Sequence, residues 1–510
     1  MTEYMTPGVF VGELSGASAQ IKGVSTNTVA FLGQTERGIE GAQLITGFSE
    51  FLRVYGCCEE GSSYLSYAVR GFFENGGKRC YTGRIAAPGA THAYTVIDDK
   101  LVVSAAGRGA WGKRIEIKVE QFRTNLAVRL FNITISYTHD DDPNRKLVEK
   151  YDDLSCEDGA SQNIITVING ASALVRLWWK GGKAAEAVSL SEGGLRLDKG
   201  GLDGGQVRAE DFQGGSGEIS FKGPEELKPL VQPFGRGTGL AAFSVIGDIS
   251  LLVLPEEVRP GFERLSEYAI EQCESLRDRF AIVSAPGSPG SLRGLQPPMD
   301  SAYAAYYFPW IKVKDSGGNA TRFVPPGGHI AGIYGRVDEA RGVHKAPANE
   351  EVRGALALQS SVTDRLQDAL NRRGVNCIRD FQSSGRGLLL WGARTMSTDP
   401  EWRYVSVRRL FIFIEESIKR GTQWVVFESN NEQTWLKVKQ VIEVFLINQW
   451  RSGALAGTKP EEAFFVKCGR DTMTEVDIEQ GRIVILIGLA PIRAAEFTIL
   501  NVSHNTGANI

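Results

Sequence analysis

The chain has 510 residues, of which 57 are basic and 60 acidic, so its formal net charge is −3. This balance disfavours a nucleic-acid binder, because such proteins usually carry a basic excess that neutralises phosphates. Hydrophobic residues make up 42% of the chain, which is enough to build buried cores in a multi-domain globular protein. The seven scattered cysteines favour reduced thiols over a disulfide framework.

The amino-terminal residues show no pattern of a cleaved signal peptide. Met1 to Pro7 contains neither a basic leader nor an apolar run. The longest apolar run, Ile483 to Ile492, is broken by Gly488 and Pro491 and is too short to span a bilayer. We therefore expect synthesis in the cytoplasm without a signal peptide, and no membrane insertion.

The first 90 residues predict a detached strand followed by an α/β layer. Pro7 to Leu14 has the pattern of a short strand, with Val9 and Val11 on one side and Phe10 and Leu14 on the other, and the small residues Ser15 to Gln20 separate it from the rest. Thr28 to Gly33 and Arg79 to Ile85 are strand-like, and a helical pattern begins after Ser63. Such alternation of strand and helix is typical of an α/β layer.

Residues 91–239 have a different pattern, which predicts a β-rich domain. Leu101–Ser104, Arg114–Glu120 and Leu130–Tyr137 alternate like strands and are separated by turn residues. Nine of the 25 residues from Gly193 to Gly217 are glycine, a composition typical of exposed loops. We expect this block to be an insertion on the outer surface.

After residue 240 the α/β pattern returns. Helical periodicity is present from Pro260 to Arg279, from Glu350 to Arg373, and from Glu432 to Ser452, where Asn430 or Asn431 can cap the helix. The apolar strand candidates are Leu388–Trp391, Trp424–Phe427, Phe464–Cys468 and Ile483–Leu489.

The predicted fold class is therefore α/β and multi-domain, with an inner α/β core, terminal β-strand arms and a β-rich outer insertion. The predicted parts are an amino-terminal arm and linker (1–20), a first part of the inner core (21–90), the outer insertion (91–239), a middle α/β domain (240–375), a carboxyl-terminal inner core domain (376–490) and a carboxyl-terminal arm (491–510).

The sequence contains no recognisable catalytic, cofactor-binding or metal-binding motif. The Gly-Lys pairs at 77–78, 112–113 and 182–183 are not followed by Ser or Thr, so a phosphate-binding loop is not predicted. The five histidines do not fall at metal-ligand spacing. We expect no cofactor and no enzymatic activity.

Three features have a chemical interpretation and a structural alternative, and we favour the alternative in each. Pro325 to His329 could bind an anion at a helix N-terminus, but a tight turn is the favoured interpretation. His344 could be a general base, but no nucleophile accompanies it. The aromatic residues from Tyr303 to Trp310 could stack on bases, but they lack interleaved Lys and Arg.

Several segments resemble contractile tail sheath proteins of phages and of extracellular contractile injection systems. They lie near both ends and in the middle of the chain, and the resemblance is weakest between residues 120 and 240. The segments are Tyr4–Glu13, Ile21–Thr26, Ala30–Gly38, Ser63–Gly77, Trp111–Ile115, Tyr303–Val313, Val324–Glu350, Trp391–Thr395, Arg408–Ser417 and Gly453–Gly457, together with Trp435 and Trp450.

The resemblance implies a mechanism and a set of partners. Sheath subunits form hexameric rings that stack helically around an inner tube, and contraction drives the tube through a target envelope without nucleotide hydrolysis. The implied partners are other copies of the chain, the inner tube protein, baseplate and tail-terminator or cap proteins, and sister sheath proteins. The implied location is a virion tail or a phage-like particle that can be released from the cell.

Two kinds of site residue follow for this chain. We expect Val9, Phe10, Val11 and Leu14 to form an amino-terminal inter-subunit arm, with Phe497, Thr498, Ile499, Leu500 and Val502 forming the carboxyl-terminal one. The resemblance further implies a helix that contacts the tube, for which Glu475, Asp477 and Glu479 are candidates. A solvated helix N-terminus, where the helix dipole favours acids, would explain these three residues equally.

Two other interpretations remain open from the sequence. Residues 240–375 could form a hydrolase-like α/β enzyme domain whose catalytic site is cryptic. The β-rich block could also belong to a generic adhesion or capsid protein. Only the sheath interpretation requires an arm at each terminus.

Overall fold

A computed structural model describes residues 20–57, 63–123, 129–139, 146–182, 193–231, 233–315 and 320–496. The chain divides into two compact units, the larger formed by Ser25–Ile412 and Arg493–Ile510, and the smaller by Met1–Val24 and Phe413–Ile492. The chain is a mixed α/β protein with several sheets, as the sequence predicts.

The described strands follow in chain order. They are β1 (Val29–Gly33), β2 (Gln43–Ile45), β3 (Cys80–Arg84), β4 (Ala93–Ile97), β5 (Leu101–Ala105), β6 (Ile115–Arg123), β7 (Arg129–Thr138), β8 (Lys146–Ser155), β9 (Val175–Trp179), β10 (Gly193–Arg196), β11 (Lys199–Gly200), β12 (Leu251–Val253), β13 (Phe280–Ser284), β14 (Ala304–Phe308), β15 (Ile311–Lys314), β16 (Thr321–Val324), β17 (Glu350–Glu351), β18 (Ala357–Leu358), β19 (Val375–Asp380), β20 (Leu388–Leu390), β21 (Phe464–Lys467) and β22 (Leu486–Leu489).

The described α-helices are α1 (Phe48–Tyr55), α2 (Leu65–Glu74), α3 (Ile164–Ala171), α4 (Gly239–Ser244), α5 (Arg264–Leu276), α6 (Gly327–Arg341), α7 (Asp364–Asn371), α8 (Val405–Gly421), α9 (Glu432–Arg451), α10 (Pro460–Ala463) and α11 (Glu475–Glu479). The division between the two units falls within α8.

The larger unit is built on a nine-stranded sheet in the order β17-β20-β19-β14-β13-β12-β1-β3-β2. The six strands from β19 to β3 run parallel, and Val29 of β1 lies opposite both Leu251 of β12 and Cys80 of β3. Every residue of β1, β12, β13 and β14 is buried. Continuous burial is expected of parallel strands, because helices cover both faces of such sheets.

Helices α2 and α6 pack together on one face of this sheet, and glycines allow their close approach. A Cβ atom added at Gly328 would lie 2.2 Å from the Ala68 carbonyl oxygen, and one at Gly332 would lie 2.4 Å from that of Phe72. The Pro-Pro-Gly-Gly-His segment therefore starts a helix rather than forming only a tight turn. Its glycines are used for packing.

The strands between Ala93 and Gly200 form two four-stranded antiparallel sheets, in the orders β10-β6-β7-β8 and β11-β4-β5-β9. A shared hydrophobic cluster that includes Ile117, Ile133 and Leu177 lies between them. The predicted β-rich content is therefore present. The limits 91–239 and the outer location of this block stay predictions.

Two predicted elements are wrong. The segment Glu350–Arg373 is not one helix, because Glu350 and Glu351 pair with β20 and Gly354 has a φ of +80°. Only Asp364–Asn371 is helical, and the Thr363 side chain caps it. Trp424–Phe427 is not a strand: a 3₁₀ turn spans Gln423–Val425, and Phe427 has a φ of +70°.

The helix expected from Pro260 begins only at Arg264, because Gly261 has a φ of +85°. In the smaller unit, α9 spans Glu432–Arg451 and is capped by Asn431, which confirms the predicted helix and one of its two proposed caps. Its buried side carries Trp435, Val438, Ile442, Phe445 and Leu446.

Candidate functional site

The smaller unit contains a two-stranded antiparallel sheet with open edges. Strands β21 and β22 pair from Phe464 opposite Leu489 to Lys467 opposite Leu486. Apart from an isolated bridge between Leu455 and Pro491, no third strand flanks this pair in the part of the chain that the structure describes. Unpaired backbone N–H and C=O groups at such edges can accept a further strand.

The two faces of this small sheet differ in exposure. Val466 is buried, whereas Phe465 and Leu486 are 48% and 52% exposed. A Cβ atom at Gly488 would lie 2.1 Å from the Phe465 ring, so the aromatic ring covers the glycine of the opposite strand. The exposed face therefore combines the apolar side chains of Phe465 and Leu486 with Lys467, whose ammonium lies 5.9 Å from the centre of the Phe465 ring.

Residues 20–24 are attached to the second half of α8. Ile21 is buried, and the Val24 N–H donates to the Ser417 Oγ at 3.1 Å. A Cβ atom at Gly421 would lie 2.5 Å from Ile21, and one at Gly23 would lie 2.8 Å from the Phe413 ring. These contacts hold residues 20–24 against α8. The predicted arm residues Val9, Phe10, Val11 and Leu14 themselves lie outside the described residues.

The segment before the carboxyl terminus forms one set of contacts within the smaller unit and another within the larger unit. In the smaller unit, the Ala456 N–H donates to the Ala490 carbonyl at 2.7 Å. In the larger unit, Arg394 Nε donates to Glu496 Oε1 at 2.8 Å, and Nη2 contacts the other carboxylate oxygen. The Glu496 carboxylate raises the pKa of Arg394. The remaining predicted arm residues, Phe497, Thr498, Ile499, Leu500 and Val502, lie outside the described residues.

The three acidic residues proposed to contact the tube lie on the short helix α11, and they differ in their hydrogen bonds and ion pairs. Asp477 forms a capping box with Thr474, whose backbone N–H donates to Asp477 Oδ2 at 3.0 Å, and Arg482 pairs with Asp477 at 2.7 Å. The Thr474 hydroxyl and N–H lower the pKa of Asp477. Glu475 and Glu479 are exposed and have no cation within 4.0 Å among the described residues. Asp477 therefore has a structural role in the helix cap, whereas the two glutamates are available for a partner.

The candidate chemical residues are packed in the larger unit. Burial lowers the pKa of His329 to about 3, and its ring lies where a Gly71 side chain would be. Burial, with Arg341 nearby, also lowers the pKa of His344. Tyr306 and Tyr307 are buried in β14, which confirms packing as the role of this aromatic segment. Among the described residues no three His, Cys, Asp or Glu side chains cluster as metal ligands.

The open sheet was not predicted as a site. Phe464–Cys468 and Ile483–Leu489 are strand candidates in the sequence, but their pairing joins residues about twenty positions apart.

Two family models match the carboxyl-terminal part of the chain. Residues 263–396 match the phage tail sheath protein central domain, and residues 397–504 match the phage tail sheath C-terminal domain. Residues 263–504 therefore match both domains of the contractile tail sheath family.

Individual sheath proteins are similar over a smaller part of the sequence. A prophage major tail sheath protein of Pseudomonas aeruginosa (strain UCBPP-PA14) is 26% identical over 37% of this chain and 48% of its own length. The tail sheath protein of Salmonella phage ViI is 29% identical over 38% of this chain and 30% of its own length. The matched region thus spans less than half of these curated relatives.

Solved sheath structures share the fold along almost the whole chain. The anti-feeding prophage helical sheath in its contracted state is 23% identical, with a TM-score of 0.58, and covers 99% of this chain and 100% of its own. The sheath tail protein Lin1278 from Listeria innocua is 14% identical, with a TM-score of 0.59, over 93% of this chain and 98% of its own. No helix among the described residues is long and apolar enough to cross a membrane.

Proposed function

We propose that this chain is the structural subunit of a contractile sheath. In this proposal, subunits assemble as stacked hexameric rings around an inner tube and contract to drive the tube through a target envelope. The observation that carries the proposal is the smaller unit, which combines an open two-stranded sheet with attachment points for the residues before 20. A subunit that polymerises needs a surface that accepts its neighbours and segments that reach them.

We infer that the two terminal segments pair with the β21–β22 sheet of neighbouring subunits. Each hydrogen bond gained contributes only about 0.5–1.5 kcal/mol net, so a four-residue strand gives a modest link by itself. Covering Phe465 and Leu486, which are about half exposed, would add apolar burial. Because every subunit would form such links, the subunits would stay connected to each other while their folded domains move during contraction.

We infer a structural rather than enzymatic role. The relatives are named as sheath proteins, and His329 and the aromatic residues of β14 are part of the packed core. In such a protein the work of contraction comes from differences between subunit contacts in two assembled states, with no bound nucleotide.

We further propose partners and a location. The tube protein would contact the exposed glutamates of α11, and baseplate and cap proteins would bind the two ends of the sheath. The particle would be a virion tail or a released injection particle, which agrees with the anti-feeding prophage baseplate and sheath structures that share the fold.

Negative-stain electron microscopy of the purified full chain tests the proposed function. We expect ribbed hollow tubes with a regular axial repeat, formed without added nucleotide. Dispersed compact particles at concentrations well above micromolar, in the presence of the tube protein, would contradict a sheath function.

A further inference from the structure

A cavity of about 480 Å³ lies in the larger unit, at the carboxyl ends of β1, β3 and β12. Gln34 and Thr35, which follow β1, form part of its wall, as does Arg84 at the end of β3. Arg259 follows β12, and Arg108 and Asp203 come from the loops of the β-rich block.

The topology of the sheet places this cavity where α/β sheets usually hold ligands. From β1, the chain proceeds to β3 on one side, whereas β12, β13, β14 and β19 follow in order on the other side. Loops that leave the carboxyl ends of β1 and β12 therefore diverge, and a crevice opens between them. The volume is within the range of about 300–1,000 Å³ that is typical of small-molecule pockets.

Two of the three arginines that line the cavity have carboxylate partners. Arg108 Nε donates to both Glu40 carboxylate oxygens at 2.8 Å. Arg259 Nη1 donates to the Gln34 side-chain oxygen at 2.9 Å and to Glu256 Oε2 at 3.2 Å. These pairs stabilise the wall of the cavity.

The third arginine, Arg84, has no such partner in the part of the chain that the structure describes. Its side chain is buried, with the residue only 7% exposed, and Nη1 donates to the Arg108 carbonyl at 2.8 Å. Among the described residues, its Nε has no hydrogen-bond partner and no carboxylate lies within 4.0 Å of its guanidinium. The carboxylates of Glu40 and Asp203 attract the Arg84 guanidinium electrostatically from a longer distance. The Ala110 N–H donates a hydrogen bond to Asp203 Oδ1 at 2.7 Å.

A guanidinium stays charged at neutral pH even when buried, and an unpaired buried charge is strongly destabilising. A ligand with an oxyanion would supply the missing partner, because carboxylate and phosphate oxygens match the fork of N–H donors on arginine. A desolvated charged group next to a cavity is a candidate for a binding site.

We propose that this cavity binds a small anionic molecule carrying a carboxylate or phosphate group, with Arg84 as its main contact. The occupant would touch both the nine-stranded sheet and the loops at Arg108 and Asp203, and would thereby stabilise the attachment of the β-rich block. The proposal does not depend on the sheath function, because it concerns a site within one subunit.

Isothermal titration calorimetry of the full chain with citrate and with pyrophosphate, at constant ionic strength, tests the site and distinguishes the two oxyanion classes. We expect saturable one-to-one binding of at least one probe. Arg84→Met should weaken it by at least about tenfold, since it removes the charged donor that pairs with the oxyanion. Arg236→Gln is the matched control, because Arg236 is an exposed arginine outside the cavity, and it should bind like the native chain.

Asp203→Asn provides a second variant in case Arg84→Met does not fold. Asparagine can still accept from the Ala110 N–H, but the variant removes a negative charge from the cavity wall, so its affinity for the anion should rise. Absence of saturable binding by both probes would overturn the proposal. So would equal affinities of the Arg84→Met and Arg236→Gln variants, or an affinity that Asp203→Asn leaves unchanged or lowers.

Discussion

Arg409 of α8 forms a buried ion pair with Asp338 of α6 in the larger unit. Arg409 Nη1 donates to Asp338 Oδ1 at 3.0 Å, and Nη2 donates to the Thr26 carbonyl at 2.8 Å. The guanidinium also lies 4.7 Å from the centre of the Tyr334 ring. Both charged side chains are at most 4% exposed, so neither can be solvated alone.

Arg409→Met should lower the free energy of unfolding by about 3–5 kcal/mol, because it leaves a buried carboxylate without its partner. The measurement is a urea unfolding midpoint at pH 7. Lys78→Met is the control: it removes an exposed pair with Glu339, the neighbour of Asp338, and should cost less than about 1 kcal/mol. Equal effects of the two substitutions would contradict the assigned burial.

The second residue-scale prediction concerns Glu257, a buried acid that accepts from the Ser284 N–H at 2.6 Å and the Ser266 hydroxyl at 2.9 Å. Burial raises the pKa of Glu257 to about 8, above the value of about 4.3 in an unfolded chain. The folded state therefore holds a proton that the unfolded state releases. The contribution of Glu257 to the free energy of unfolding is therefore fully present below about pH 4, and it is lost as the pH rises toward 8.

Glu257→Gln, which mimics the protonated acid, should reduce this loss. We expect the variant to gain stability relative to the native chain between pH 5 and pH 8, by at most about 1.4 kcal/mol per pH unit. Unfolding midpoints at both pH values measure the difference. A difference between variant and native chain that does not change with pH would show that Glu257 is ionised in the folded protein.

At the scale of elements, the contact of α2 with α6 depends on glycine. Gly328→Ala would place a methyl group 2.2 Å from the Ala68 carbonyl oxygen, so the helices must separate. The strain should cost more than the roughly 1 kcal/mol by which alanine favours a helix, giving a net loss of about 1–3 kcal/mol. Gly335→Ala on the same helix meets its nearest atom at 3.4 Å and should be neutral or stabilising. Thermal melts of both variants measure this, and a Gly328→Ala variant as stable as Gly335→Ala would contradict the packing.

Helix α11 carries the tube-contact prediction. Glu475→Lys combined with Glu479→Lys should weaken capture of the tube protein while leaving the thermal melt unchanged, since both side chains are exposed and unpaired among the described residues. Asp477→Asn is a separate control, because it weakens a helix cap worth about 0.5–2 kcal/mol without reversing a charge. Co-sedimentation with assembled tubes is the measurement, and undiminished capture by the double variant would remove this helix from the interface.

The same scale shows what the sequence can and cannot predict. Local patterns located β1, β20 and α9, because the apolar run of each strand, and the periodicity and cap of the helix, lie within the segment itself. The predicted helix at Glu350–Arg373 is wrong, because Glu350 pairs with the distant Leu390 and this tertiary contact overrides the local helical periodicity. Open edges of β21 and β22, and the missing partner of Arg84, arise from tertiary arrangement and have no local sequence signal.

At the scale of the whole molecule, assembly depends on how one chain reaches the next. Residues 20–24 lie against α8, so the fold of the smaller unit should not require residues 1–14. Truncation should therefore remove a link between subunits while leaving each subunit intact. If residues 1–14 instead stabilised the fold of their own subunit, the truncated chain would melt at a lower temperature.

Electron microscopy of the full chain beside a chain lacking residues 1–14, each with a thermal melt, tests this arrangement most directly. We predict that the full chain forms ribbed tubes and that the truncated chain melts nearly normally but stays monomeric. Normal tubes from the truncated chain would show that contacts between the bodies, rather than the terminal strands, connect the subunits.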